Sequence, residues 1–183
     1  MIDDLVLSAH LPPRQIDVLK AAADLNYGGA PYYERSVVEH ISRVLGIGSK
    51  TVGTHLYRMY ETLGVKDIFS AVYESLHTRV ITLDDVSNGS LPNLARDIES
   101  LSRREKDVLR ALAEMTLREK YKGKSMVRRN LNMTPRAFRG VKWRTYFKLG
   151  VHNNAQLAVA AYLLTHRPAQ RSNGAGYDQL KIT

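Results

Sequence analysis

Arg136, Arg139, Lys142, Trp143 and Arg144 lie within nine consecutive residues. The chemistry open to that set is recognition of a polyanion. A guanidinium can donate two hydrogen bonds to O6 and N7 of guanine, worth ~1–3 kcal/mol of discrimination between bases. A cation facing phosphate fixes position but reads no sequence. An indole offers apolar area suited to a thymine methyl. Helical spacing sorts the stretch into two faces. Phe138, Val141, Thr145 and Leu149 form an inner stripe, which leaves Arg136, Arg139, Gly140, Trp143 and Arg144 outside. Arg136, Lys142 and Arg144 suit phosphate. The alternative for each cation is an ordinary solvated charge, and for Trp143 a wedge between two parts of the chain.

Other chemistries find little footing. The six histidines, His10, His40, His55, His77, His152 and His166, form no metal-type pair at helical spacing with a carboxylate. With no cysteine there is no disulfide framework, thiolate metal site or cysteine nucleophile, and a reducing compartment fits. Neither a glycine-rich phosphate loop nor a nucleophile elbow is present. The expectation is a protein that is not an enzyme and holds no metal or cofactor. Lys120, Lys122 and Lys124, with Arg128 and Arg129, could extend phosphate contact; a solvated loop is the alternative.

The basic stretch sits inside a repeat. Residues 45–65 and 131–151, each 21 long, pair without a gap at an offset of 86. Such an echo is far harder to obtain by chance than one short motif. Each opens on an apolar residue, a tight-turn pair and another apolar residue. A polar helix start, about four turns of amphipathic helix and Leu-Gly-Val follow. In the first copy Val52, His55 or Leu56, Met59 and Leu63 face inward, and Lys50, Gly53, Thr54, Tyr57 and Arg58 face outward. Lys50 and Arg58 suit phosphate.

The surrounding pattern predicts four helices per copy. In the first, helices begin at Leu11-Pro12-Pro13, run over about 36–45, run from Ser49 as N-cap to Leu63, and run over about 67–80. Gly46 is the expected left-handed residue between the second and third. In the second copy, Ser102 and Glu105 form a capping box, Thr134-Pro135 starts the third helix, and Asn153 or Asn154 caps the last. The first helices align at an offset of 90.

These motifs resemble the LuxR/GerE-type helix-turn-helix family. Leu11-Pro12-Pro13-Arg14, Ile41 to Ile47, Thr51-Val52 with His55, and Leu63-Gly64-Val65 carry the likeness in the first copy. Leu101 to Glu105, Val127, Leu131, Met133 and Leu149-Gly150-Val151 carry it in the second, which lacks the Thr-Val-x-x-His core. Both connections between first and second helices are longer than the family pattern. The resemblance implies an all-α fold of two tandem four-helix, LuxR-type modules of the winged-helix-like superfamily. It implies double-stranded DNA as partner and transcription regulation as function. Bases would be read by Gly53, Thr54 and Tyr57, then by Arg139, Gly140 and Trp143, with His55 a packed helix residue. Leu11 to Gln15 is also similar to the promoter-reading region of sigma factors, although no core-polymerase-binding region is visible.

Composition sets the frame. At 183 residues and 44% hydrophobic, the chain can bury a core. Asp3 and Asp4 interrupt any N-terminal signal, and no apolar run reaches membrane-spanning length, so a cytoplasmic, nucleoid-associated protein is expected. Charge divides unevenly. Residues 11–81 hold eight Lys and Arg against seven Asp and Glu, a net +1, whereas residues 97–167 hold sixteen against six, a net +10. A concentrated basic half suits a nucleic acid. The near-neutral half could instead bind a protein such as RNA polymerase or another regulator.

The expected organisation is module 1–81, linker 82–96, module 97–166 and a mobile tail, 167–183. The linker reads as turn formers poor in core residues, a flexible tether spanning roughly 25 Å. The helix from Ala155 to Leu164 is apolar on almost every face and needs a partner beyond its own module. Leu157, Val159, Tyr162, Leu163 and Leu164 would supply a homodimer surface. Residues 68–80 of the same chain are the alternative partner.

Overall fold

The computed structural model describes residues 11–26, 34–87, 89–118 and 124–166, and all regular structure among them is helical. The elements are α1 (Pro13–Ala23), α2 (Glu34–Leu45), α3 (Ser49–Leu63), α4 (Ile68–His77), α5 (Leu83–Ser87), α6 (Leu91–Glu99), α7 (Arg103–Arg118), α8 (Lys124–Asn130), α9 (Pro135–Leu149) and α10 (Asn154–His166). No described helix is long and apolar enough to cross a membrane.

The sequence echo recurs in the backbone hydrogen bonds that close its turns and helix ends. Three residues join α2 to α3, closed by Ile47 N–H donating to the Ser42 carbonyl at 3.1 Å. Four join α8 to α9, closed by Met133 N–H donating to the Arg128 carbonyl at 2.9 Å. Gly46 takes φ +62°, and its counterpart Asn132 takes φ +49°. Glycine meets no penalty in that left-handed turn, and asparagine is among the few side chains that tolerate it. Both long helices end alike. Gly64 and Gly150 are left-handed, and Val65 and Val151 donate to the carbonyls of Tyr60 and Tyr146 at 2.9 and 3.1 Å. The last helices start alike as well, with Asp67 accepting from Ser70 N–H and Asn153 from Gln156 N–H, each at 2.9 Å. One detail differs from expectation: the N-cap of α3 is Gly48, with Ser49 its first helical residue and no side-chain cap.

The two halves share one core. Of the described helices, α4 and α10 pack along each other most extensively. Residues 71–76 are all buried, and so are residues 155–161. Ala155, Ala158, Ala160 and Ala161 keep α10 slim, so bulkier α4 side chains such as Tyr73 fit beside it. At the far end of the seam, Tyr73 packs edge-on to Tyr162 and its hydroxyl meets Thr165 at 2.9 Å. This corrects the placing of Leu157 and Val159 on a homodimer surface. Leu157 and Val159 are 1% and 0% exposed within the single chain, and Tyr162, Leu163 and Leu164 pack half-buried against the same core. Most of the apolar surface of α10 is covered by α4, with α7, α1 and α6 on its other sides, so the apolar character that suggested a second copy is accounted for within the chain.

The linker expectation is also corrected. Residues 83–87 and 91–99 are helical, and Val86, Leu94, Ala95 and Ile98 are buried. Lys20 pairs with Asp85 at 2.7 Å, Leu25 N–H donates to the Val86 carbonyl at 3.0 Å, and Ser90 bonds Asn26 at 2.9 Å. The hydrogen bond from Lys20 outweighs burial and holds the Asp85 carboxyl below its ordinary range. The connection is thus a packed part of the structure and not a flexible tether.

Candidate nucleic-acid interface

The fold turns one face of α9 outward. Phe138, Val141, Thr145 and Leu149 are buried, as the inner stripe predicts. Arg136, Arg139 and Arg144 are exposed, Trp143 is 52% exposed and Gly140 is half-buried. Trp143 therefore faces outward and is no wedge between the halves. Thr134 caps the helix by accepting from Ala137 N–H at 3.2 Å, and Pro135 occupies the first turn, where its missing N–H had no partner. That leaves the positive end of the helix dipole beside Arg136.

Two internal clamps hold α9 in place. Glu105, with a side chain only 3% exposed, accepts from Lys148 at 2.9 Å and lies 3.9 Å from Arg144. It also accepts from Ser102 N–H at 2.8 Å, completing the predicted capping box of α7. Burial alone would raise the Glu105 pKa. The hydrogen bonds from Lys148 and Ser102 overcome that and hold it below the ordinary value. At the other clamp, Lys142 Nζ donates to Asn154 at 2.7 Å and lies 5.4 Å from the centre of the Tyr146 ring. Tyr146 O–H donates to the same Asn154 oxygen at 2.6 Å. Lys142, expected at phosphate, is thus half-buried and ties α9 to the start of α10. Arg144 divides its charge between Glu105 and the outside.

In α3, Val52, Met59 and Leu63 are buried, with His55 and Leu56 half-buried. Lys50, Gly53, Thr54, Tyr57 and Arg58 are exposed, Tyr57 to 63%. The outward chemistry is weaker than on α9. Thr54 donates its hydroxyl back to the Lys50 carbonyl at 3.1 Å. Glu61 lies beside Tyr57 and raises its pKa, by hydrogen bonding first and by its charge second. Glu61 puts a negative charge where α9 carries Phe147, itself 83% exposed.

Three features escaped the sequence reading. Phe147 extends the outer ridge of α9 one turn beyond Trp143, a continuation that its spacing of four encodes. Arg103 and Arg104 line a groove of about 390 Å³ with Asp107, Leu131 and Met133, beside the turn into α9. Both arginines were read only as helix-start residues. The third is a property of two glycines. A Cβ on Gly53 would meet nothing within 4 Å, and one on Gly140 only the Arg144 guanidinium at 3.7 Å. Neither has positive φ, so packing explains neither, although each costs about 1 kcal/mol against alanine in a helix.

No family model, curated protein or solved structure gives a significant match to this chain. The site is therefore characterised by its own geometry. Among the described residues no three His, Asp or Glu side chains are grouped to hold a metal ion. Lys122 lies outside the described residues, and Lys124 enters only as the first residue of α8. The segment 167–183, expected as a mobile tail, also lies outside them.

Proposed function

We propose that this chain is a sequence-specific double-stranded-DNA-binding protein that regulates transcription, with α9 as its principal reading helix and α3 as a second. The observation that carries the reading is the outer face of α9. Arg136, Arg139, Trp143 and Arg144 stand exposed on a capped helix locked from behind by Glu105 and Asn154. A rigid helix of this width fits the major groove, where its outer side chains meet base edges. Arg139 reads a base, Trp143 supplies apolar contact, and Arg136 and Arg144 hold phosphate. The unforced Gly53 and Gly140 fit the close approach of another backbone to both helices. The short turns before α3 and α9 fit the LuxR/GerE-type resemblance.

A second reading is favoured by one observation. Glu61 beside Tyr57 makes the outer face of α3 poorly suited to phosphate, so the first half could engage a protein such as RNA polymerase or another regulator.

Selection from a random duplex library, followed by anisotropy titrations over a range of salt, tests the proposal. Enrichment of a defined motif, with log affinity falling by roughly 0.9 per phosphate contact for each unit of log salt, is expected. Failure to enrich any sequence, with weak and sequence-independent binding, rejects it.

A further inference from the structure

The halves are joined by exchanged contacts. In the first half, Ser70 on α4 reaches Thr116 on α7 of the second, hydroxyl to hydroxyl at 3.4 Å. In the second half, Gln156 at the start of α10 donates to the Asp24 carbonyl just past α1 of the first, at 2.6 Å. Asn153 reinforces this by donating to the Ala22 carbonyl at 3.3 Å. Ser70 and Gln156 are the same repeat position, 86 residues apart, and each is the residue whose N–H is capped by Asp67 or Asn153. So the last helix of each half touches the end of the first helix of the other. A translation cannot do this, because the second half's last helix would then require a third copy. An operation that is its own inverse can, and that is a two-fold rotation. The α4–α10 seam, a pairing of equivalent helices, satisfies the same condition.

Equivalent elements then share that approximate axis, α3 with α9 included. Two reading helices related by a two-fold meet a duplex as two inverted half-sites, since the symmetry of the target mirrors that of the protein. The helices do not carry the same side chains. Where α9 presents Arg139, Gly140 and Phe147, α3 presents Gly53, Thr54 and Glu61. We propose that a single copy of this chain is a complete reader of one two-part duplex site whose halves are inverted but unlike, a built-in pseudo-dimer needing no second subunit. The proposal rests on the DNA-binding reading above and adds stoichiometry, symmetry and polarity to it.

The test uses the full chain and the duplex enriched from a random library. Sedimentation velocity with a labelled duplex should give one protein per site. The whole site should bind about a hundredfold tighter than either half alone, the gain expected when a second contact becomes intramolecular. Arg139→Ala should flatten base preference in one half only, and Tyr57→Ala in the other only. Reversing one half to make a direct repeat should cost most of the gain. Two proteins per site, equal affinity for the direct repeat, or a Tyr57→Ala profile identical to wild type overturns the inference and leaves DNA binding intact. No enriched duplex at all overturns the DNA-binding reading, and the inference with it.

Discussion

Gly140→Ala separates what the fold needs from what a partner needs. Gly140 is the sixth residue of α9. Alanine there removes a helix penalty of about 1 kcal/mol. The added Cβ would meet only Arg144 Nη1 at 3.7 Å, an ordinary van der Waals distance on a flexible side chain, so almost none of that gain is returned as strain. For a chain of this size, 1 kcal/mol raises Tm by roughly 2–4 °C. On DNA the sign reverses. A methyl forced into a closely fitted contact costs about 1–3 kcal/mol, so Kd should rise by about 5- to 150-fold. Calorimetric melting and anisotropy titration on the same preparations read both effects. A higher Tm with unchanged Kd would refute close approach at α9, and a lower Tm would refute the claim that packing does not need this glycine.

The other predictions concern the frame. Glu105→Gln removes the charge that engages Lys148 and Arg144, so Tm should fall by several degrees while the salt dependence of DNA binding steepens; a variant unchanged in both would show that the clamp is idle. Leu157→Ala, at a site 1% exposed, should cost about 2–5 kcal/mol and leave one cooperative transition, because both halves share the core; two separate transitions in a thermal melt would contradict a shared core. Burial lowers the His40 pKa and the His166 pKa, with His77, 3.1 Å from His166, adding to the latter. A histidine lowered in the folded state gains its proton more readily on unfolding, so this stability is intact above about pH 6.5 and lost as pH falls below it. Tm measured from pH 8 to 5 should therefore drop in that window, less steeply in His166→Gln; a flat profile would exclude these histidines.

Much of this was legible because the signals are local. The offset of 86 gave α9 to the residue and α3 to within one residue at its cap, since caps, turn residues and stripe all lie within 21 positions. The helices between the halves were hidden by their punctuation. Leu91, Leu94, Ala95 and Ile98 carry helical spacing, but Asn88, Gly89, Ser90 and Pro92 beside them read as a linker. The choice between the two partners offered for α10 was hidden for a different reason. Glu74 and Ser75 make α4 look amphipathic, yet both are buried, 9% and 0% exposed. Which helix covers an apolar surface is decided by contacts some 90 residues apart, and no local period records them. Lys142 shows the limit within the site. Its spacing leaves it at the edge of the outer face, and only the position of Asn154, twelve residues on, takes its charge inward.

Base reading by the outer face of α9 stands or falls on Arg139. Wild type and Arg139→Ala should be titrated against the selected duplex and against every single base-pair change in it, at one salt concentration. The variant should lose discrimination of about 1–3 kcal/mol at one position, keep it elsewhere, and bind the altered base pair about as well as the original. A uniform loss across all duplexes, with every preference retained, would place Arg139 on phosphate and contradict the claim.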